Sequence, residues 1–585
     1  MNESQQEKLN KFRYSLLDKL NNSSRNLIVV APTGVGKTTT VLSYIAMNPN
    51  KRFLYVSPLK VLCEEVQKKL LTFNTPSDLI IGDTWIEAPE AKHRVIVSTY
   101  EKADSMIRRG YKWLNPDVII IDEFHNITSR EAIESIILYA MTEKKRVILL
   151  SATVSNIDDI AKWLNAEVVR SEERVVPLYK GILYGHTLYG DIPEKYVKTL
   201  LDNPLKFALL GKTIMVFVKS RWKAVSYYKN LPLVYKDMAV VFHGGLEAPR
   251  RKEVIDSVMS GKKKIIITTT ALGQGVNLPV WMVIFEDTVL PLVKDGQLIG
   301  WRPLSLSEFN QIAGRAGRPD FDTEGIALII AESEEDFEMK KLYLSNSVSV
   351  VNRSLSLEDY LLITIHRKRP THRELIEYGK YHTDDESEIE RAIAFLVSKG
   401  LVKNSNSRYE TTEIGKALVL AYVNIEDGMQ LAQILSVLKK QKLKLLDLLK
   451  ILSTNQKVVS ASRGVNVFGV LYNWINGYLV DINASFTPND LDNLVNTARW
   501  IANAMYRIAK AFGMETEVFE ELVKRLDYGV PKELFPLYEA VKSRKQVLQL
   551  ASWGMKSVED VCKNRSKSEE IIGFEKLKEL CLNSN

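Results

Sequence analysis

Cysteine is scarce: the 585 residues hold three, Cys63, Cys562 and Cys581. They are widely spaced and odd in number, which argues against a disulfide framework or a zinc-ligand cluster and for a reducing compartment. No apolar run reaches the roughly 18 residues of a membrane span, and the opening MNESQQEKLN lacks the apolar segment of a signal peptide. A cytoplasmic location without membrane contact is therefore expected. Neither sign of charge dominates, since 79 Lys and Arg stand against 71 Asp and Glu, leaving +8 and a pI of about 8.9. So small an excess favours acidic partners such as nucleic acid only weakly. No low-complexity segment stands out. What remains is an ordinary globular composition, 45% hydrophobic and 26% charged, long enough for three to five domains of about 100–200 residues each.

Two stretches alternate short apolar runs with helical patterns. The first holds NLIVVAP, RFLYVSP, RVIVSTY, DVIIIDE and RVILLSAT, and the second TIMVFV, MAVVFHG, KIIITTT, MVIFED and IALIIA. Strands this uniformly apolar are buried on both faces, so residues 1–175 and 176–345 read as two α/β domains with parallel sheets. Residues 346–420 carry a helical pattern (Ile389, Ile393, Leu396, Val397) and then KGLVKNSNSRYETTEIG, a small hairpin with an Asn/Ser turn; together they suggest a winged helix. Beyond 420 the pattern is almost all helical.

Three motifs carry chemistry. In APTGVGKTT, Ala31–Thr39, a strand leads through a glycine turn into a helix. Gly34 and Gly36 permit the turn that converges backbone N–H groups on a phosphate, Lys37 reaches the β/γ oxygens and Thr38 binds the metal. Ala31 stands where the pattern usually has Gly. DVIIIDEFHN places Asp122 to hold Mg²⁺ through water and Glu123 to orient and deprotonate the attacking water. NQIAGRAGRPD puts Arg315 and Arg318 three residues apart, so one helix can present both to the γ-phosphate of ATP, or both can be surface charges. Apolar runs flank Asp295-Gly296 in VLPLVKDGQLIGWRPLSL, a hairpin signal that fits a sheet extension or a strand-separating pin.

APTGVGKT, VSPLKVL, STYEKADSMIRR, DEFH, SAT, FHGGL, TTTALGQGVNLP and QIAGRAGR follow one another in the order of a superfamily 2 helicase. The chain resembles the Ski2-like branch, and within it the archaeal Hel308 (Hjm) group. The resemblance implies two tandem RecA-like domains with ATP and Mg²⁺ in the cleft and single-stranded nucleic acid across the top. It further implies nucleotide binding by Thr33, Gly34, Gly36, Lys37, Thr38, Thr39 and Gly275, with Gln311 joining Arg315 and Arg318 at the γ-phosphate. Coupling of hydrolysis to strand movement would fall to His125, Ser151 and Thr153, and phosphate-backbone contacts to Pro58, Lys60, Thr99 and Thr269. Lys294, Asp295 and Gly296 would form the tip of the separating hairpin. One departure concerns the adenine-reading glutamine: Gln5 and Gln6 precede the phosphate loop, but in an unfamiliar context, KLNKFRYSLLDKL.

The remainder resembles the same group. Residues 346–420 match its winged helix, expected here to brace the core. Residues 421–530 contain LDNLVNTARWIANAMYRIAKAFGM, similar to the helix that grips the exiting strand as a ratchet. Arg499, Asn503, Arg507 and Lys510 share one stripe at helical spacing and Trp500 borders it, so Arg499, Trp500 and Arg507 are the expected contacts; equally, the tryptophan can cover core and the arginines be solvated. Residues 531–585 resemble a helix–hairpin–helix segment whose hairpin, AVKSRK, lacks the usual glycines and offers Lys542, Arg544 and Lys545 as charge. The implied function is a monomeric 3′–5′ helicase on single-stranded and forked DNA in fork repair or recombination. An RNA helicase of the Ski2-like type and a binding scaffold with a vestigial ATPase are the alternatives. The chain is short for the Hel308 group.

Overall fold

The computed structural model describes residues 3–582 except 33, 152–154, 172–173, 175, 270–277, 279, 295–296, 318–321, 346–349 and 484. Seven short aliphatic strands build the first sheet: β1 (Asn26–Val30), β2 (Phe53–Ser57), β3 (Asp78–Ile80), β4 (Val95–Thr99), β5 (Val118–Ile121), β6 (Arg146–Ser151) and β7 (Ala166–Arg170). Their order is β3-β4-β2-β5-β6-β1-β7, every pair parallel. Side chains alternate across the sheet, so Ile28, Leu54, Ile119 and Leu149 enter one apolar layer while Leu27, Tyr55, Ile120 and Ile148 enter the other. Helices cover both layers, which is why no strand needs a polar face.

The second sheet uses β8 (Leu178–Tyr184), β9 (Thr187–Gly190), β10 (Ile214–Phe217), β11 (Ala239–Phe242), β12 (Ile265–Thr268) and β13 (Met282–Phe285). The chain then leaves it for a hairpin, β14 (Val289–Lys294) and β15 (Gln297–Pro303), and returns with β16 (Gly325–Ala331). The order is β11-β12-β10-β13-β16-β8-β9, parallel except for the antiparallel β8–β9 edge. The hairpin forms a separate two-stranded sheet, so it does not extend the main one.

After β16, the helices Leu357–Lys368, His372–Gly379 and Glu386–Ser398 precede β17 (Val402–Ser405) and β18 (Arg408–Thr411), an antiparallel pair. Asn406 and Ser407 form its two-residue turn, both at positive φ (51° and 64°), as a type I′ hairpin requires. This region is fastened to the first α/β domain. Glu134, fully buried, accepts from Arg353 Nε at 2.7 Å and from the backbone N–H groups of Ser354 and Leu355 at 2.8 and 2.9 Å. Glu143 pairs with Arg367 and Lys368, both at 2.7 Å. These charge-assisted contacts make the helices a brace on the first domain.

The chain divides into two compact units, residues 1–292 with 300–415, and 293–299 with 416–585. The second unit is otherwise helical, its longest helix spanning Pro488–Ala511 behind a capping box of Thr487 and Asp490. One expectation fails here: Cys562 and Cys581 form a disulfide, with Cα atoms 5.7 Å apart. They lie 19 positions apart in sequence, but the helices Val558–Lys563 and Phe574–Leu582 pack together and bring the thiols into register. The cysteine argument for a reducing compartment therefore falls. Cys63 remains a free, buried thiol, pushed up to about 12 by burial. Among the described residues no helix is long and apolar enough to cross a membrane.

Candidate nucleotide and nucleic-acid site

The carboxyl ends of β1, β5 and β6 lie side by side, where an open parallel sheet leaves its crevice. The loop leaving β1 turns through Gly34 (φ 89°) and Gly36 (φ 92°) and enters the helix Lys37–Met47. Among the described residues no side chain caps that helix, which leaves its first N–H groups to an anion. Lys37 Nζ donates to the loop's own carbonyls, Ala31 O and Pro32 O, the latter at 3.0 Å. Burial lowers the ammonium pKa, against the pull of Glu123 and Asp122. Thr38 and Thr39 follow in the first turn; Thr33 lies outside the described residues.

Asp122 follows β5 and accepts the Tyr55 hydroxyl at 2.8 Å. Burial, and then the neighbouring Glu123, raise its pKa to about 7. Glu123 takes a left-handed backbone (φ 51°), an uncommon conformation for a residue with a Cβ, and strain of that kind concentrates at functional turns. The Tyr100 hydroxyl donates to the carbonyl oxygens of Asp122 and Glu123, and Asn126 Nδ2 to Glu123 O at 2.8 Å, fastening the turn. His125 Nδ1 lies 3.4 Å from Glu123 Oε2 and 3.3 Å from Ser151 Oγ, which joins the acidic turn to the end of β6. Thr153 is outside the described residues. The half-buried Asp122 carboxylate, which interacts electrostatically with Lys37, and the Thr38 hydroxyl in the first turn of the helix are the hard donors that Mg²⁺ with a nucleoside triphosphate would take, so the residues present fit that group.

Sequence reasoning did not single out Tyr55, Tyr100, Asn126 or Arg13. Tyr55 could have been noticed as a polar handle in the middle of a largely apolar strand.

In the second α/β domain, Gln311 is half-buried on the helix Leu306–Ala313. That helix stops at Ala313, so the expectation of one helix presenting Arg315 and Arg318 fails for Arg315, which sits buried in the turn beyond. The cause is the approach of this turn to the sheet: Ala316 bridges Val280, and Gly317 (φ 67°) donates its N–H to Val280 O at 3.0 Å. A Cβ on Gly317 would fall 2.7 Å from Gly325 N. Arg318 and Gly275 lie outside the described residues.

Pro58 and Lys60 follow β2, Thr99 ends the adjacent β4, and Thr269 follows β12. Lys60 is exposed, whereas Pro58, Thr99 and Thr269 are buried. Lys294 ends β14; Asp295 and Gly296, the hairpin tip, are outside the described residues. Both strands of the hairpin expose large apolar side chains, namely Leu292, Leu298, Ile299 and Trp301.

On the helix Pro488–Ala511 the expected stripe is largely committed to the protein. Arg499 pairs with Asp527, and Arg507 Nε donates to Asn503 Oδ1 at 3.0 Å. Trp500 is half-buried, its indole N–H donated to Ala421 O at 3.0 Å, with Lys457 Nζ 5.9 Å above the ring. In AVKSRK, Arg544 does not serve as open charge as expected. It stacks 4.3 Å from the Trp474 ring and donates to Gly529 O at 2.7 Å and Tyr478 O at 3.2 Å.

Comparison with known proteins matches three families along the chain: DEAD/DEAH box helicase over residues 11–160, helicase conserved C-terminal domain over 196–320, and archaeal helicase domain 4 over 420–529. A protein of the Sulfolobus islandicus filamentous virus, provisionally named helicase 7, is 32% identical over 98% of this chain and 99% of its own. The chain belongs to the Hel308-like helicases. Proteins named ATP-dependent DNA helicase Hel308 are 27% identical in Thermoplasma volcanium (94% of this chain, 91% of that one) and 26% in Pyrococcus abyssi (94% and 90%). This helicase is thus an ATP-dependent enzyme of the DEAD-box superfamily, with its two parallel sheets as tandem RecA-like domains.

Proposed function

We propose that this helicase moves 3′ to 5′ along single-stranded DNA and unwinds forked or branched duplexes in replication-fork repair or recombination, as a monomer in the cytoplasm. The observation that carries the motor reading is the convergence of Lys37, Asp122, Glu123, His125 and Ser151 at the carboxyl ends of β1, β5 and β6. It also weighs against a scaffold with a vestigial ATPase. DNA as the substrate is supported by the names of the Hel308 relatives. The domains are read as 1–175 and 176–345 (RecA-like), 346–420 (winged helix), 421–530 (ratchet) and 531–585 (helix–hairpin–helix-like).

Thr38 and Asp122 would hold Mg²⁺, which would supply neutralisation of the triphosphate's negative charge. The uncapped helix N-terminus and Lys37 cradle the phosphates, while Tyr55 fixes the Asp122 carboxylate. Glu123 orients the attacking water and takes its proton. Arg315, Arg318 and Gln311 approach the γ-phosphate from the second domain, so turnover requires the domains to close. His125, touching both Glu123 and Ser151, passes the state of the catalytic turn to the end of β6. Lys60, exposed beside β2, meets the strand's phosphates with Pro58, Thr99 and Thr269, while Trp500, flanked by Arg499 and Arg507, holds a base between steps.

The apolar sides of β14–β15 suit a wedge: Leu298 and Ile299 cover the end base pair as it opens. Unwinding of matched DNA and RNA forks with 3′ or 5′ overhangs tests the whole reading. Opening of the 3′-tailed DNA fork is expected. Preference for the RNA fork would make this an RNA helicase, and preference for the 5′ tail would reverse the polarity.

A further inference from the structure

The first helix, Glu3–Asn22, packs onto the outside of the nucleotide loop. Leu9, 4% exposed, meets Ala31 and Val35, with Phe12 beside them, and Arg13 Nε donates to Val35 O at 3.3 Å. The guanidinium lies directly over Gly36: a Cβ there would fall 2.5 Å from Arg13 Nε and 2.8 Å from its Nη2. The loop therefore has an inner side, where amides and Lys37 converge, and a rim to which Arg13 is applied. A triphosphate seated on the amides carries its nucleoside out past that rim.

We infer that Arg13 is the residue that meets the nucleobase, and that it relaxes base selectivity towards guanine. The inference rests on residues 31–39 being the nucleotide loop. A guanidinium has five donors and no acceptor. The outer edge of guanine presents two acceptors, O6 and N7, which match it; adenine presents one acceptor, N7, beside the N6 amino donor, which repels it. A carboxamide at this position would offer one donor and one acceptor and so suit adenine. The Val35 carbonyl and the contact with Gly36 aim the fork, so specificity comes from a fixed guanidinium on the loop.

The test is strand-stimulated phosphate release from ATP, GTP and CTP by the full chain and by Arg13→Gln and Arg13→Lys, with kcat and KM separated. For the wild type, GTP should support turnover beside ATP, with its kcat/KM within a few-fold of that for ATP and that for CTP lower. Arg13→Gln should shift the ATP-to-GTP ratio about tenfold or more towards ATP through KM, since a site loses discrimination when its polar partner is mismatched. Displacement of a fluorescent ATP analogue by GTP and by ATP, on protein checked for its melting transition, reads the same ratio without turnover. Strict ATP dependence of the wild type together with an unchanged ratio in Arg13→Gln would overturn the inference while leaving the motor intact. Absence of binding and turnover with every nucleotide would instead overturn the nucleotide-loop reading, and this inference with it.

Discussion

Strands β5 and β13 hold the same central place in their sheets, and each runs out into two adjacent carboxylates, Asp122–Glu123 and Glu286–Asp287. In each pair the first acid accepts a tyrosine hydroxyl, from Tyr55 at 2.8 Å and from Tyr227 at 2.9 Å, and burial raises its pKa. The surroundings then diverge. Asp287 is met by Lys223 Nζ at 3.1 Å, Lys219 Nζ at 3.7 Å and the Lys219 N–H at 3.0 Å, so its charge is answered within the domain. The helix that follows β10, Arg221–Asn230, is capped by Ser220, whose hydroxyl accepts from Lys223 N at 3.1 Å. Opposite Asp122 there is instead a glycine turn, an uncapped helix and a lysine resting on backbone carbonyls. One architecture is thus used twice, once open to an anion and a cation and once closed on itself, and the difference lies in who satisfies the helix terminus.

The sharpest break of that comparison is Lys37→Ala against Lys223→Ala. The first should lower strand-stimulated phosphate release by a factor on the order of 10²–10³ or more while strand binding persists, as for other losses of a phosphate-stabilising group. The second should leave turnover per folded molecule at the wild-type level. Equal losses in both would mean that the second acidic pair also takes part in chemistry. Next in size is Asp287→Ala, which takes the buried carboxylate away from Lys219 and Lys223. We expect about 2–3 kcal/mol of destabilisation, read as a lower thermal midpoint, with hydrolysis retained below the transition. An unshifted midpoint would show that the second pair is not self-satisfied.

How legible each region was follows from the range of its interactions. The phosphate loop, the acidic turn after β5 and the hairpin each occupy a short continuous stretch, and a local rule governs each: a glycine turn into a helix, acids at a strand end, Asp-Gly between apolar runs. The closed site after β13 depends on Lys219 and Lys223, more than 60 residues upstream in the chain, and nothing local announces it. Arg13 meets Val35 across 22 residues, and Glu134 holds Arg353 across 219, with the same consequence. Arg315 misled for the opposite reason. Spacing of three suits a helix, but contact of Ala316 and Gly317 with Val280 ends that helix first. Cys562 and Cys581 pair only because two helices fold back on one another.

Trp500 sits between the two kinds of site. Its N–H is satisfied internally by Ala421, yet the ring stays half-exposed under Lys457. If it is open in the sense of the first sheet, Trp500→Ala should cut base pairs opened per ATP by about tenfold, since a lost stack costs roughly 1–3 kcal/mol. The KM for ATP should not move. Wild-type unwinding with a lowered melting point would place the ring with the closed sites, as cover for the helical core.

A third helix terminus extends the comparison. Ser543 caps Arg544–Ser552 by accepting from Gln546 N, so this end, like the one after β10, is answered from within. Lys542 precedes it at φ 57°, a left-handed conformation in which a lysine is strained relative to glycine. Lys542→Gly should therefore stabilise the chain by about 1 kcal/mol and raise its melting midpoint slightly, while leaving strand affinity and its salt dependence as they were. The two readouts separate cleanly, because backbone relief acts on folding and the loss of a phosphate contact acts on binding. Weakened binding with a shallower salt slope would show that this capped turn still lends its charge to nucleic acid, and closure of the helix terminus would no longer identify a site turned away from a ligand.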